Sequence, residues 1–561
     1  MKKGTNDSSA ALPLYETNNK DNKNHKTNQI YEDLLKTHKT IRIAPSGDVM
    51  ITKLECQIID TKEFQRLRAI KQLGTTYLTY PTAIHTRFDH SLGTVYMADM
   101  LIRKVRENKH SETEEKEIKP EEEIIIRLYA LLHDISHIPF GHTLEDEFRI
   151  IDKHDEDIDN KMRFLGKDKT IGRLLFEGLG KAPDLYERLM RLFTISKDKL
   201  NELGNDRFLY EIVNNTVCAD LLDYLTRDSF FCNVVLDIDY RFLNYVYIAT
   251  TEKGKQLAIR LWKSKNGSGG TPRKDILSEL IRLMETRYLL GERVYFHHTK
   301  LITDTMIASA IQRELISAKK VLDLNYLFQH GDESVLDKLE ESDNEEVKKL
   351  IESIRNRTLW KTVYEIYRDT VETIEAHNSG KNIFDDYREK YWDNPAERLR
   401  MENLLAELCS LEPGDILMIC PDSKMAMKTA AMNVFWKGKI TPLKDCKGGI
   451  IEEKLGLILK SHSMLWCLRV YVNPIHVNNK LVVSCCKYLL SPDSEERKQN
   501  GIVFWNQFID EYTNEKAYSE TFSANEYNRK KGSLVAQLLE PHFDLRNKID
   551  YLRLIDSTFS K

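Results

Sequence analysis

Four side chains in this sequence are of the types that bind a divalent or transition metal. They are His90, the adjacent pair His133 and Asp134, and the distant Asp220. Neutral imidazoles and carboxylates are ordinary ligands of such ions. An imidazole next to a carboxylate at the end of an apolar run is costly to bury unless it has a partner. The pattern therefore predicts a metal centre.

Two helical segments have to bring these residues together. Met97, Leu101 and Val105 recur every four residues, which is helical spacing. The following run, EEEIIIRLYALLHD, is apolar almost all round, which predicts a buried central helix that ends at the His-Asp pair. A lone histidine near a helix start is more often a satisfied polar residue than a ligand. The His-Asp pair and three further histidines favour a ligand role for His90.

Composition excludes some classes of protein. The chain has 561 residues, of which 41% are hydrophobic and 30% charged, with a net charge of −4. This predicts a globular protein with no overall character of a membrane binder, while local basic patches leave nucleic-acid binding open. We found no stretch near the ~20 apolar residues that span a bilayer and no signal-peptide core. The nine cysteines are scattered without a CxxC pair, so we expect a soluble, cytoplasmic protein with reduced thiols.

Changes in composition and hydrophobic pattern along the chain predict four regions. Residues 1–38 are polar and predicted to be a disordered tail. Residues 39–320 form a mainly helical domain that starts with a hairpin of IRIA and DVMIT, and residues 321–405 form a helical extension packed on it. Residues 406–561 are predicted to be an α+β domain with a possible regulatory or oligomerisation role. Its strands are expected in DILMIC, GIIEEKLGLIL, MLWCLRVYV and KLVVSCC. The expected fold class is mainly α, with a smaller α+β C-terminal domain.

The segments around the metal-binding residues resemble one family. FQRLRAIKQLG, TRFDHSLG, LLHDISHIPFGH, ADLLDYLTRD and RVYFHHTK occur in the order found in HD-domain phosphohydrolases. Within that superfamily, the chain is similar to the deoxynucleoside triphosphate triphosphohydrolases of vertebrates and bacteria. The resemblance covers residues 40–361. It implies an HD helical bundle at residues 39–320 and metal-dependent hydrolysis of dNTPs to deoxynucleoside and inorganic triphosphate.

The resemblance also implies roles for particular residues. His90, His133, Asp134 and Asp220 would hold one Mg, Mn, Fe or Zn ion, and a second Mg could accompany the nucleotide. The catalytic positions are His137, His142, Glu145 and His154. His142 and Glu145 are expected to form the acid/base pair at the leaving 5′-oxygen, although Glu145 could instead solvate a helix face.

Substrate positions follow from the same resemblance. They are Arg87, Gln72, Leu73, Tyr224, Asp228, Arg287, Tyr295 and His298. The arginines would contact phosphates, and the ring of Tyr295 would exclude a 2′-hydroxyl, although a tyrosine at helical spacing is often a core residue. Leu221 stands where the vertebrate enzymes have a lysine.

A second nucleotide site is implied between subunits. Asp60, Arg66, Arg68, Arg357 and Lys361 match residues that bind an activating GTP or dNTP in the family. The chain would then be a homo-oligomer, either a dimer or a tetramer. From the residues alone, Arg66 and Arg68 fit surface salt bridges equally well.

Two other functions remain open. The chain could be another HD phosphohydrolase, either a nucleotidase or a phosphodiesterase, or a nucleotide sensor that binds without turnover. Phosphodiesterases of cyclic dinucleotides usually have a lysine three residues after the His-Asp pair and a GYP motif. This chain has His137 at that position and no GYP.

Overall fold

Helices dominate the fold, and this confirms the predicted class. The computed structural model describes residues 28–108, 118–152, 157–235, 238–264, 270–377, 383–422, 431–446, 450–515, 523–540 and 543–559. In the first half, the helices are α1 (28–35), α2 (Lys53–Ile59), α3 (Lys62–Gln65), α4 (Arg87–Glu107), α5 (Pro120–Leu132), α6 (Ile158–Leu165), α7 (Thr170–Gly178), α8 (Pro183–Thr194), α9 (Arg207–Val213) and α10 (Ala219–Phe231).

The second half is also mostly helical. Its helices are α11 (Lys274–Leu290), α12 (His298–Ile316), α13 (Leu324–Gln329), α14 (Asp332–Glu340), α15 (Glu345–Arg355), α16 (Arg368–His377), α17 (Ile383–Tyr387), α18 (Pro395–Leu408), α19 (Ile450–Ser463), α20 (Lys480–Leu490), α21 (Ser494–Glu515), α22 (Ala524–Leu538) and α23 (Lys548–Phe559). Short π-helical turns lie at Thr143–Glu147, Gly291–Tyr295 and Arg388–Trp392.

The described strands form four small sheets. They are β1 (Thr37–Ile43), β2 (Gly47–Thr52), β3 (Val246–Thr251), β4 (Gly254–Arg260), β5 (Trp262–Ser264), β6 (Gly270–Pro272), β7 (Lys361–Tyr367), β8 (Ile416–Ile419), β9 (Asn433–Trp436), β10 (Lys439–Pro442) and β11 (Cys467–Val472). The sheet orders are β1-β2, β10-β9-β4-β3, β7-β11-β8 and β5-β6. All neighbouring strands are antiparallel except β4 and β9, which pair in parallel.

Two hydrophobic cores organise these elements. The larger core contains the apolar faces of α4, α5, α9, α10, α11 and α12, and the smaller one contains the β7-β11-β8 sheet with α17, α18 and α20 to α23. Helix α5 has buried residues around its whole circumference, as its sequence predicted. It packs on α4, α8 and α9, so the element carrying the His-Asp pair is held from several sides.

Several predicted elements differ from the observed ones. GIIEEKLGLIL and KLVVSCC were predicted as strands, but they lie in helices α19 and α20. In α19 the buried residues are Ile451, Leu455 and Ile458, which have helical spacing. The prediction was wrong because the many branched residues of this segment also favour a strand. The predicted hairpin is confirmed as β1 and β2.

Part of the predicted tail is ordered. Residues 28–35 form helix α1, where Tyr31 is buried and Ile30, Leu34 and Leu35 pack against the larger core. Those four apolar residues give a short polar segment enough buried surface to fold. The rest of the predicted tail, residues 1–27, lies outside the described residues.

All nine cysteines lie in the described part of the chain, where they are buried and form no disulfide. Among the described helices, none has the length and apolar composition needed to cross a membrane.

Candidate metal centre and active-site cavity

His90 lies in the first turn of α4. Thr86 caps this helix by accepting a hydrogen bond from the Asp89 amide, and the Asp89 carboxylate accepts from the Thr86 amide. This reciprocal cap fixes where the helix begins and places His90 in the interior, where its side chain is 1% exposed. The imidazole Nδ1 donates to Asp223 Oδ2 at 2.8 Å. Its Nε2 therefore faces the other metal-binding candidates.

His133 and Asp134 directly follow α5. The Nδ1 of His133 donates to the Ala130 carbonyl oxygen at 2.8 Å, which fixes the tautomer and leaves a lone pair on Nε2. That Nε2 is buried and has no hydrogen-bond partner among the described residues. It lies 3.3 Å from Asp134 Oδ1 and 3.8 Å from Asp220 Oδ1. A buried imidazole nitrogen that accepts no hydrogen bond and lies beside two carboxylates is suited to bind a metal ion.

Asp220 completes the cluster from the first turn of α10. Its Oδ1 lies 3.2 Å from His90 Nε2. The ligand atoms of His90, His133 and Asp220 all lie within 4.8 Å of one another. Asp134, the fourth predicted ligand, lies beside both imidazoles, with Oδ2 3.6 Å from His90 Nε2. Two imidazoles and two carboxylates fit a divalent cation, although they do not select one metal.

Asp223 was missed by the sequence reasoning. It accepts the His90 hydrogen bond and is itself held by Arg227, whose Nε and Nη2 donate to its two oxygens at 2.8 Å each. Both side chains are almost fully buried. Burial lowers the pKa of His90, but the hydrogen bonds to Asp220 and Asp223 outweigh this effect and raise it to about 10. The carboxylates around His90 thus favour a positive charge near its ring, and a bound cation would also provide such a charge. The signal available in the sequence was the spacing of Asp220, Asp223 and Arg227 along one helix face.

The predicted acid/base residues lie on the segment after the His-Asp pair. His142 Nδ1 is 2.8 Å from Asp146 Oδ2, so Asp146 is a carboxylate partner of this imidazole that the sequence reasoning did not name. Glu145 is 2% exposed, with its carboxylate and the His137 ring both against Gly141. His137 Nε2 lies 3.5 Å from Asp134 Oδ1. His154, the remaining predicted catalytic residue, lies outside the described residues.

A cavity of about 990 Å³ opens beside the cluster. Six of the eight predicted substrate residues line it, namely Arg87, Gln72, Leu73, Tyr224, Arg287 and Tyr295. The other two, Asp228 and His298, are not part of its described wall. Asp228 lies behind Tyr295 and accepts hydrogen bonds from the Tyr295 hydroxyl at 2.7 Å and from His85 Nε2 at 2.8 Å. His298 is exposed at the start of α12.

Polar groups on the cavity wall suit an anionic, hydroxyl-bearing ligand. Arg87 Nη1 donates to Asp134 Oδ2 at 2.8 Å, which ties a wall cation to the metal cluster. The Gln72 Oε1 atom is buried and has no hydrogen-bond partner among the described residues. Leu221 is buried at 1% exposure, and the wall includes Lys161 and Lys300 instead.

Glu147 and Lys300 form a buried ion pair on the same wall. Lys300 Nζ lies 3.0 Å from Glu147 Oε1 and 2.5 Å from Asp304 Oδ2. Burial raises the pKa of Glu147 from its ordinary 4.5 to about 7, despite the opposing effect of Lys300. Between these two pH values, folded Glu147 keeps a proton that the unfolded chain has lost, so its contribution to stability falls as the pH rises.

We therefore expect Glu147→Gln to flatten the dependence of stability on pH. The Tm of the variant minus that of the wild type should increase from pH 5 to pH 8, by on the order of 2 °C. Differential scanning calorimetry at several pH values measures this difference. Glu345→Gln, at an exposed glutamate of α15, serves as the control. If the Tm of the wild type and of Glu147→Gln changed with pH in the same way, Glu147 would not have the raised pKa.

The predicted activator residues divide into two groups. Arg66 is buried and donates from Nη1 to the His137 carbonyl at 2.7 Å and from Nη2 to the Ile135 carbonyl at 2.8 Å. Its guanidinium thus stabilises the loop after the His-Asp pair. Asp60, Arg68, Arg357 and Lys361 are exposed. A role of these residues in nucleotide binding stays a prediction.

Comparison with known proteins supports this reading of the site. The HD domain model matches residues 87–228, and the HD associated region model matches residues 282–479. An uncharacterised protein of Methanocaldococcus jannaschii is 32% identical over 329 residues, which is 58% of this chain and 59% of that protein. The deoxynucleoside triphosphate triphosphohydrolase SAMHD1 homolog of Dictyostelium discoideum is 29% identical over 345 residues, covering 60% and 62%. The match thus spans about three fifths of these two relatives.

Other relatives extend the match. The deoxynucleoside triphosphate triphosphohydrolase SAMHD1 of Gallus gallus is 26% identical over 485 residues, covering 79% of this chain and 72% of that protein. A hypothetical protein from Aquifex aeolicus has a TM-score of 0.54 at 21% identity, covering 80% of this chain and all of that one. A phosphohydrolase from Bacteroides thetaiotaomicron has a TM-score of 0.52 at 19% identity, covering 78% and all of that chain. These two structures establish the fold. Residues 87–228 thus match an HD domain, and the chain is similar to the family that includes the deoxynucleoside triphosphate triphosphohydrolases.

Proposed function

We propose that this protein hydrolyses dNTPs to deoxynucleoside and inorganic triphosphate in a metal-dependent reaction. The observation that carries the proposal is the composition of one cavity wall. It has His133 and Asp220 of the metal-binding cluster beside two arginines, and it also has polar and aromatic side chains suited to a sugar. The names of the SAMHD1 relatives support the same substrate class.

The arginines provide charge for the triphosphate. Arg87 and Arg287 both line the cavity, and a guanidinium binds phosphate oxygens through paired hydrogen bonds. Tyr224 lines the cavity as well, and burial raises the pKa of its hydroxyl. It therefore stays protonated and can donate a hydrogen bond to a phosphate.

The reaction breaks the bond between the α-phosphorus and the 5′-oxygen. A water oxygen attacks phosphorus, the water loses a proton, and the 5′-oxygen gains one as the deoxynucleoside leaves. His90, His133, Asp134 and Asp220 would hold a divalent cation, which would supply the Lewis acidity that lowers the pKa of water and offsets phosphate charge. His142 is placed to protonate the leaving oxygen, because Asp146 holds its Nδ1–H and leaves Nε2 for proton transfer.

Gln72, Leu73 and Tyr295 form the proposed sugar-binding wall. The Gln72 amide oxygen has no described hydrogen-bond partner and could accept from the 3′-hydroxyl. Asp228 fixes the Tyr295 ring through the 2.7 Å hydrogen bond from its hydroxyl. A ring held in this way leaves little room for a 2′-hydroxyl, which supports a preference for deoxynucleotides.

Product analysis with a substrate panel tests the proposal. The protein would be stripped of metal, reloaded with Mn²⁺, Mg²⁺, Fe²⁺ or Zn²⁺, and given each dNTP, each rNTP, dNMPs and a cyclic dinucleotide. We expect deoxynucleoside and triphosphate in equal amounts from dNTPs, with metal required. Phosphate from dNMPs would indicate a nucleotidase, and cleavage of the cyclic dinucleotide a phosphodiesterase. dNTP binding without turnover would indicate a sensor.

We also propose nucleotide activation and a homo-oligomer, on the basis of the exposed residues Asp60, Arg68, Arg357 and Lys361. Light scattering with and without GTP or dGTP tests this proposal. We expect a dimer or tetramer that the nucleotide stabilises, and a monomer under both conditions would refute it.

A further inference from the structure

The segment around α18 contacts the backbone of the loop that carries the predicted acid/base residues. Trp392 Nε1 donates to the Asp146 carbonyl oxygen at 3.0 Å. Arg398 Nη2 donates to the Phe148 carbonyl oxygen at 3.2 Å. Asp146 is also the residue whose carboxylate holds His142. Trp392 therefore fixes the backbone of the residue that orients this imidazole.

Arg398 is a costly residue to place here, because it is buried at 1% exposure. Burial lowers the pKa of its guanidinium to about 10. The group also donates to the Tyr391 carbonyl oxygen at 3.0 Å and lies 4.7 Å from the centre of the Phe148 ring. It thus links the turn containing Trp392 to the end of the loop, and a buried charge needs such partners.

Arg149 provides a third link. Its Nη1 lies 2.5 Å from Asp393 Oδ1, and its guanidinium lies 4.6 Å from the centre of the Trp392 ring. Arg149 has a φ of +50°, a backbone conformation that side-chain-bearing residues rarely adopt. Contacts on both sides of the loop end hold the residue in this conformation.

We propose that Trp392 and Arg398 are positioning residues, which set the location of the His142–Asp146 pair relative to the metal cluster. The proposal rests on the proposed function, since it concerns proton transfer to the leaving group. The two residues lie far along the chain from the HD domain match at residues 87–228. The associated region would therefore contribute to catalysis without supplying a reacting group.

Trp392→Phe is the sharpest test, because it keeps an aromatic ring on the cavity wall and removes the N–H donor. We expect kcat to fall roughly 10- to 100-fold, while KM and Mn²⁺ affinity stay within about twofold of the wild type. The pH profile of kcat should change on the limb that reports leaving-group protonation. A purely structural defect would lower kcat by the same factor at every pH. Arg398→Lys keeps the charge and should retain part of the activity that Arg398→Met loses.

Trp360→Phe is the matched control. Trp360 is buried and donates one hydrogen bond, to the Gly414 carbonyl oxygen at 3.2 Å, so this variant loses the same kind of bond away from the loop. Hydrogen exchange of the amides of residues 143–148 gives a readout independent of turnover. We expect faster exchange in Trp392→Phe than in Trp360→Phe.

The outcomes separate the two proposals. A wild type without metal-dependent turnover would overturn the proposed function, and the exchange comparison would still decide whether Trp392 holds the loop. An active wild type with equal kinetics and equal exchange in the two tryptophan variants would overturn the positioning role alone.

Discussion

Replacing His133 with alanine is expected to lower metal-dependent turnover by about 1,000-fold, because Lewis-acid stabilisation by a metal is worth several kcal/mol. His133 is the clearest ligand of the cluster. Its Nδ1 is committed to the Ala130 carbonyl, and its Nε2 lies among carboxylates without a hydrogen-bond partner in the described chain. The variant should also bind Mn²⁺ more weakly by calorimetry.

The fold of this variant should persist, because the side chain makes one backbone hydrogen bond and is at the end of α5. His330→Ala is the control. His330 stacks on Tyr326 and bonds to its carbonyl oxygen at 3.0 Å, so the substitution removes a comparable contact outside the cavity wall. Retention of full activity and Mn²⁺ affinity by His133→Ala would exclude the cluster as the metal site.

Replacing Gly93 with alanine is expected to cost about 3 kcal/mol of unfolding free energy, because it forces apart a buried ion pair. A Cβ at Gly93 would lie 1.9 Å from Asp223 Oδ1 and 2.2 Å from Arg227 Nη2. Neither side chain can move to solvent, since both are at most 1% exposed. Displaced Asp223 would no longer orient His90, so metal affinity should fall roughly 10- to 100-fold as well.

Gly456→Ala tests whether the loss of stability and metal affinity comes from the surroundings of Gly93 or from replacing any helical glycine with alanine. Gly456 lies within α19, and a Cβ there meets no atom within 4 Å. That variant should be about 0.5–1 kcal/mol more stable, because alanine favours a helix over glycine. Denaturant unfolding and Mn²⁺ titration of both variants give the comparison. Equal stability of Gly93→Ala and the wild type would show that α4 and α10 are less tightly packed than described.

The parts of the site that could be predicted from the sequence are those encoded by local pattern. The apolar run of α5 and the residues that end it identified a buried helix and its His-Asp pair. His90 and Asp220 each lie in the first turn of a helix, and the resemblance to the HD-domain family predicted both as metal ligands. The structure then brought His90, His133 and Asp220 together.

The remaining features depend on contacts between segments distant in sequence. Arg66 was predicted to bind an activating nucleotide or to form a surface salt bridge, yet it is buried and donates to the Ile135 and His137 carbonyl oxygens. His142 lies 2.8 Å from Asp146, the residue after the predicted Glu145, because both carboxylates belong to an irregular π-helical turn. Asp223 contacts His90 and Trp392 contacts Asp146, and both partners lie far away along the chain. The hydrophobic periodicity of the sequence does not predict contacts between such distant residues.

The parallel pairing of β4 with β9 has a practical consequence for dissecting the protein. Ala258, Ile259 and Arg260 pair with Asn433, Val434 and Phe435, and Asn433 Nδ2 donates to Gln256 Oε1 at 2.8 Å. A fragment that stopped at residue 405 would leave β4 with an open edge of unpaired amides and carbonyls. Such edges recruit strands from other molecules. Strand β9 thus covers an edge of β4 that a shortened fragment would expose to strand pairing between molecules.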